Sequence, residues 1–456
     1  ARGEPYHPWL SIGQILAWQL ERVLPGRHVR VEILADGGLC LEQAILLLSD
    51  LRRRPDAVLI YAGHNEFQAR FGWSRDVRYY IEEGPRPRRG ALEAWASRVS
   101  FLCGLIEETI EKQRLPFPPP PHATRELVDH PAFTPDEYAF LREDFRRRLD
   151  RVVAYCDRLG ALPILVLPAS NDSGYPPARS YLAPNTPPAD REAFARAFRD
   201  ARALEHSDPT RAEAAFRALL ARQPSFAETH FRLARVLERS GRYEEAARHY
   251  TWARDLDGMP MRCPSDFQAA YRTVAARHPS AILVDGPAVL RRIAPHGILD
   301  DHLFHDAHHP TLRGYAALAQ EALDQLCARR AFGWPDGVAA PRIDPADCAA
   351  HFGLDAERWA TVCERSATFY GRVAFIRYDP SESLHHAERY LAAARQITAG
   401  ASPDEVGIPG LGLPSSSEAR RREEVIRHKE REGFPKKSLG VQAATSDGSR
   451  ATIVRP

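Results

Sequence analysis

The sequence predicts an α/β fold built on a parallel sheet and interrupted by a small all-helical insert. Two observations carry this. Short, fully apolar runs at 57–62, 163–167 and 281–284 alternate with stretches of helical periodicity, the order that yields a parallel sheet covered by helices. Between 205 and 262 the chain also repeats itself with a period of 34 residues, the length of a stacked helix pair.

The elements follow in order. At 9–24, Leu10, Ile12, Ile15, Leu16, Leu20 and Val23 recur at helical spacing up to Pro25 and Gly26, with Ser11 at the natural N-cap. Residues 29–34 read as a short strand and 42–51 as a helix. Residues 57–62 form a continuous apolar strand of the kind buried on both faces. From about 70 to 133 the pattern is interrupted by a helix at 92–112 and the proline run 116–121. Proline neither continues a helix nor pairs in an inner strand, so that run is an extended surface connector. A helix restarts at Thr134, which caps it, with Pro135 in the first turn and Glu137 completing a capping box. Its apolar face is Leu141, Phe145, Leu149, Val152, Val153 and Cys156, and Gly160 ends it. The strands at 163–167 and 281–284 complete the sheet.

In the repeat, Ala212, Phe216, Leu219 and Pro224 recur 34 residues on as Ala246, Tyr250, Ala253 and Gly258. The full unit spans 227–258, with Leu233, Ala234, Leu237, Gly241 and Tyr243 at small and large packing positions; the first copy is half a unit. The pattern resembles a tetratricopeptide repeat. One and a half units fall short of the three that stand alone, so the insert leans on its host domain or on a partner chain. The chain thus divides into 1–204 (with the insertion at about 70–133), a helical insert at 205–262, a return to the host at 263–330, and a helical region with a disordered tail at 331–456, disorder being expected after about 433.

Bulk properties narrow the function. A formal net charge of +2 argues against nucleic acid or an anionic membrane as partner. No apolar run approaches the roughly 18 residues of a membrane span. Seven scattered cysteines without a CxxC pair read as buried free thiols rather than a disulfide framework or zinc ligands.

Three segments carry chemistry. Gly37 and Gly38 follow the strand at 29–34; Gly63, His64, Asn65 and Glu66 follow the strand at 57–62; Asp306, Ala307, His308, His309, Pro310 and Thr311 lie downstream of the last strand. Ligands bind at the carboxyl ends of strands in open parallel sheets. Acyl transfer needs a nucleophile, a base held by a carboxylate, and donors aimed at the developing oxyanion. Asp306 and His309, three apart, supply the carboxylate and base; Asn65 offers an amide and Gly38 an unobstructed N–H. The bland alternatives are that Asn65 caps a helix, that Gly37 and Gly38 serve a tight turn, and that Glu66 makes a structural ion pair. His302, His305, His308 and His309 with Asp301 and Asp306 are also metal-ligand types.

Gly38, Asn65, Asp306 and His309, with the His-Pro-Thr continuation and Gly314-Tyr315, resemble in order the later blocks of SGNH (GDSL-type) hydrolases. The resemblance covers 1–200 and 270–330. It implies a flavodoxin-like α/β/α sandwich, ester hydrolysis through a Ser-His-Asp triad, an oxyanion hole including Gly38 and Asn65, an acylated substrate and no cofactor. The serine block is the departure. Residues 1–6 look like its tail, which places the nucleophile one or two residues before Ala1 and leaves the first strand out. Neither Ser11 nor Ser170 substitutes: the first is an N-cap and the second sits in a polar loop beside Asn171 and Asp172. The chain as it stands is therefore expected to be inactive. The alternative is a non-catalytic scaffold whose tetratricopeptide insert binds a protein partner.

Overall fold

The computed structural model describes residues 2–67, 135–374, 377 and 380–413, apart from positions 25, 36, 37 and 184. The helix expected at 92–112, the proline run 116–121, the cap Thr134 and the tail after 433 lie outside the described residues. Among the described residues the chain is mostly helical, with thirteen α-helices around a three-stranded parallel sheet. The host body opens with α1 (Ile12–Val23), α2 (Ala44–Ser49) and α3 (Pro135–Leu159). The repeat region holds α4 (Pro188–Ser207), α5 (Pro209–Arg222), α6 (Ala227–Arg239) and α7 (Tyr243–Asp255). There follow α8 (Ser265–Arg277), α9 (Gly286–Arg291), α10 (Leu312–Ala328), α11 (Pro345–His351), α12 (Ala356–Ala374) and α13 (Ser381–Thr398). No helix among the described residues is long and apolar enough to cross a membrane.

Strands β1 (Ala57–Ile60), β2 (Leu162–Leu167) and β3 (Ile282–Asp285) pair in that order, with Ile60 opposite Leu165 and Val166 opposite Val284. Because side chains alternate across a strand, β2 feeds two cores. Ile164 and Val166 join Ile12, Ile15, Leu318 and Leu323 of α1 and α10; Leu165 and Leu167 join Phe145, Leu149, Phe267 and Tyr271 of α3 and α8. The apolar face read from sequence for α3 is buried throughout, and Gly160, at φ +61°, turns the chain out of it into β2.

Two expectations change. Residues 29–34 form no strand: they carry no sheet pairing, and Val31 is 36% exposed. A strand needs a neighbour, and across from this segment lies a cavity that both Leu34 and Val58 line. For the same reason β1 is not buried on both faces. Among the described residues β2 is its one strand neighbour, and Ala57, Val58 and Leu59 are half-buried while Ile60 alone is buried.

The repeat region has its own core. Phe194 and Phe198 of α4 pack with Phe216 of α5, Phe226, Phe231 of α6 and Tyr250 of α7. The helical stack thus starts at Pro188, ahead of the repeating pattern. Helix α6 buries both of its faces, including the charged Glu228 and Arg232. The Arg232 guanidinium lies 2.7 Å from Glu228, 2.7 Å from Glu382 of α13 and 3.7 Å from Glu205 of α4. Here the insert leans on α13 of the C-terminal region, and the Glu228 N–H donates to the Ser180 hydroxyl of the host at 2.8 Å, as too few repeats to stand alone require.

Candidate functional site

The loop 300–311 is held from several sides before it presents any chemistry. Thr311 N-caps α10. A bridge pairs Phe304 with Pro310, and the His305 N–H donates to the His309 carbonyl at 2.9 Å. The Asn171 N–H, from the loop after β2, donates to the Ala307 carbonyl at 3.0 Å. The buried Tyr6 hydroxyl accepts from the Leu312 N–H at 3.0 Å and meets His305 Nε2 at 2.7 Å. Each contact removes a degree of freedom from the segment that carries Asp306 and His309.

Asp306 is buried, and its Oδ1 accepts the N–H groups of His308 and His309, both at 3.0 Å. Its Oδ2 lies 2.8 Å from His309 Nδ1. A carboxylate accepts only, so Nδ1 carries the proton and Nε2 presents a lone pair. Burial pushes the Asp306 carboxyl up, but the neighbouring His309 charge and hydrogen bond outweigh it and hold the group well below the usual carboxylate range. Burial pulls His309 down, and Asp306 more than restores it, leaving its pKa raised. The pair is therefore a buried carboxylate holding a partly exposed imidazole, whose side chain is 27% accessible.

The other histidines take separate partners. His308 donates from Nδ1 to the Met261 carbonyl at 2.8 Å and stacks on His64 at 4.4 Å; burial pushes it down to about 3 and keeps it neutral. His305 lies between Tyr6 and Tyr390, and His302 pairs with Asp300 at 2.9 Å. Among the described residues no group of three or more candidate ligands converges on a metal position. This is because each ring is committed to a different neighbour.

Gly38, Asn65, Asp306 and His309, the four residues singled out in sequence, line one cavity of about 850 Å³. Gly38 has φ +78°, a backbone conformation that glycine adopts without strain. Gly37 lies outside the described residues. The Asn65 amide donates to the Leu39 carbonyl at 3.1 Å, which ties the two loops at the mouth of the cavity together. Glu66 is buried and accepts from the Leu41 N–H at 3.0 Å, so it anchors the loop by a backbone hydrogen bond. Ser11 accepts from Gln14 as the cap of α1, and Ser170 is buried beside Asp172; neither lines the cavity.

Sequence reasoning missed the far wall. Arg365, Thr368, Phe369, Arg372 and Val373 of α12 line the same cavity. Phe369 sets its ring edge-on to both His308 and His309, at 5.7 Å in each case. No local motif marks these residues; helical spacing alone puts 365, 368, 369 and 372 on one face.

The comparisons with known proteins bear on the insert. The family model of the tetratricopeptide repeat matches residues 201–260. Stacked helix-pair repeats present extended surfaces for binding, and the match points to protein–protein interaction. No curated protein and no solved structure matches the chain.

Proposed function

We propose that this chain forms the body of a serine ester hydrolase with a flavodoxin-like α/β/α sandwich, in which Asp306 and His309 are the acid–base pair. One observation carries the reading: a buried carboxylate fixes the imidazole with its Nε2 lone pair free, in a cavity on which Gly38 and Asn65 also converge. His309 takes the serine proton as the hydroxyl attacks the ester carbonyl, then returns it to the leaving alcohol; water repeats the cycle on the acyl-enzyme. The Gly38 N–H and the Asn65 amide stabilise the oxyanion. The substrate is an acylated small molecule.

The reading needs a serine, and none lines the cavity among the described residues. We place it on a strand preceding Ala1 that adds to the outer edge of β1. The cavity runs along that edge, with Val58, Leu59 and Ile60 on one side and Leu34 and Leu48 on the other, and Arg2, Gly3, Glu4 and Pro5 line it too. A strand leading into these residues fills the apolar slot and brings its carboxyl end to His309.

The test is 4-nitrophenyl acetate hydrolysis by protein that includes the preceding strand. Activity lost in His309→Ala supports the reading; activity indifferent to that change overturns it. The repeat match favours a second reading, a non-catalytic platform whose insert binds a protein. A folded, inactive extended protein that still captures a partner after His309→Ala selects it.

A further inference from the structure

We propose that α12 is the substrate-selecting wall of the cleft, and that Arg372 selects esters carrying an anionic group, a carboxylate or a phosphate, beside the scissile bond. This rests on the hydrolase reading above.

The first support is placement. Helix α12 is fixed to the catalytic loop from behind: Val362, Cys363, Ser366 and Tyr370 are buried, Tyr370 stacks on Tyr390 of α13, and the Tyr390 hydroxyl donates to the His305 carbonyl at 2.9 Å. Its opposite face looks into the cavity. Phe369 covers one side of the His309 ring, so a substrate that reaches Nε2 passes along this helix.

The second support is a charge balance. Three arginines, Arg2, Arg365 and Arg372, line the cavity, together with two carboxylates, Glu4 and Asp306. Asp306 is taken up by His309. Glu4 lies 3.6 Å from Arg2 and 3.9 Å from Arg365. Arg365 also donates to the Pro5 carbonyl at 2.9 Å and to the His7 carbonyl, and lies over the Trp9 ring, so its guanidinium is spent holding the 3–9 loop. Arg372 is exposed and has no hydrogen-bond or ion-pair partner among the described residues. Among the described residues it is the uncompensated cation of the cleft, one turn of helix beyond Thr368 and Phe369. A guanidinium presents paired donors that match two oxygens of a carboxylate or phosphate.

The experiment compares kcat/KM for 4-nitrophenyl acetate with that for mono-4-nitrophenyl succinate and for 4-nitrophenyl 3-phosphonopropanoate, in protein carrying the preceding strand. The wild type is expected to favour an anionic ester over the neutral one, and whichever anionic ester gains more identifies the group as carboxylate or phosphate. Arg372→Ala lowers the anionic-to-neutral ratio about fivefold, as expected for a partly screened ion pair; Arg372→Glu lowers it further, Arg372→Lys retains part of it, and added salt erodes it. A ratio unchanged in Arg372→Glu overturns the inference. His309→Ala is the separate arm for the hydrolase reading. If no ester turns over, calorimetric binding of monomethyl succinate and of methylphosphonate decides instead. Binding of either that is lost in Arg372→Glu supports the inference, and no binding or equal heats overturn it.

Discussion

The repeat insert and the cleft use buried charge in different ways. In the insert, Arg232 is enclosed by three carboxylates that hold its pKa well above the usual value despite burial, and Arg232, Glu205 and Glu228 are all buried. In the cleft, Asp306 is just as buried, but its partner His309 keeps one edge open. The first arrangement fastens α6 to α4 and α13; the second holds an imidazole at the surface of a cavity. Helix α6 of the repeat is turned inward, which leaves the remaining surface of the insert for a protein partner. Trp252 of α7, 40% exposed and packed edge-on against His230 and His249, stands on it.

The sharpest way to break this contrast is to remove the key group from each region. His309→Ala in the extended protein is expected to cut kcat by about 10,000-fold, roughly 5 kcal/mol of barrier, while leaving the thermal midpoint near that of the wild type; steady-state kinetics and calorimetry read the two. Arg232→Ala should do the reverse, costing about 3–5 kcal/mol of stability because Glu228 is left buried without its cation, while Glu205 keeps Arg235 and Arg239 at 3.4 Å. Urea unfolding measures it. Replacing Arg232 and Glu228 together with apolar residues should cost less, and an equal cost would mean the charges do more than fasten.

The two regions should also separate by pH. As the proposed base, His309 must be neutral, and its pKa is raised, so kcat/KM should climb with pH through a midpoint above 6.5. Asp306→Asn should move that midpoint down, since the carboxylate is what raises it. Glu382 is governed first by burial, which pushes it up, but Arg232 outweighs this and brings it down to about 2. A depressed carboxyl contributes stability that is complete above its unfolded value and lost as pH falls through the folded one. The insert should therefore loosen between pH 4.5 and about 2, seen as amide exchange in α6, and Glu382→Gln should flatten that dependence. The smallest effect is Trp252→Ala, within about 0.5 kcal/mol of wild-type stability, yet it should weaken capture of a protein partner if that surface is the one used.

Local pattern reached far in this chain. The helix periodicity of α1 and α3, the apolar runs of β2 and β3, the cap at Ser11 and the 34-residue repeat each depend on neighbours a few residues away, and each stands where sequence placed it. So does the spacing of Asp306 and His309, because a three-residue offset in one loop brings carboxylate and ring together directly. Where an element depended on a distant partner, sequence misled. Residues 29–34 have the composition of a strand but no strand beside them among the described residues, and the half-exposed β1 reflects the same gap.

What sequence determined by itself was the periodicity of the elements, the repeat, and the pairing of Asp306 with His309, since these follow from short-range geometry; Gly38 and Asn65 stand out through the motifs they resemble. Tertiary structure alone decided that α6 faces inward onto Glu382, that Phe369 lies against His309, and that Arg372 has no partner among the described residues. Each of these brings together residues from segments far apart in the chain, and neither periodicity nor spacing along the sequence encodes which helix face meets which loop.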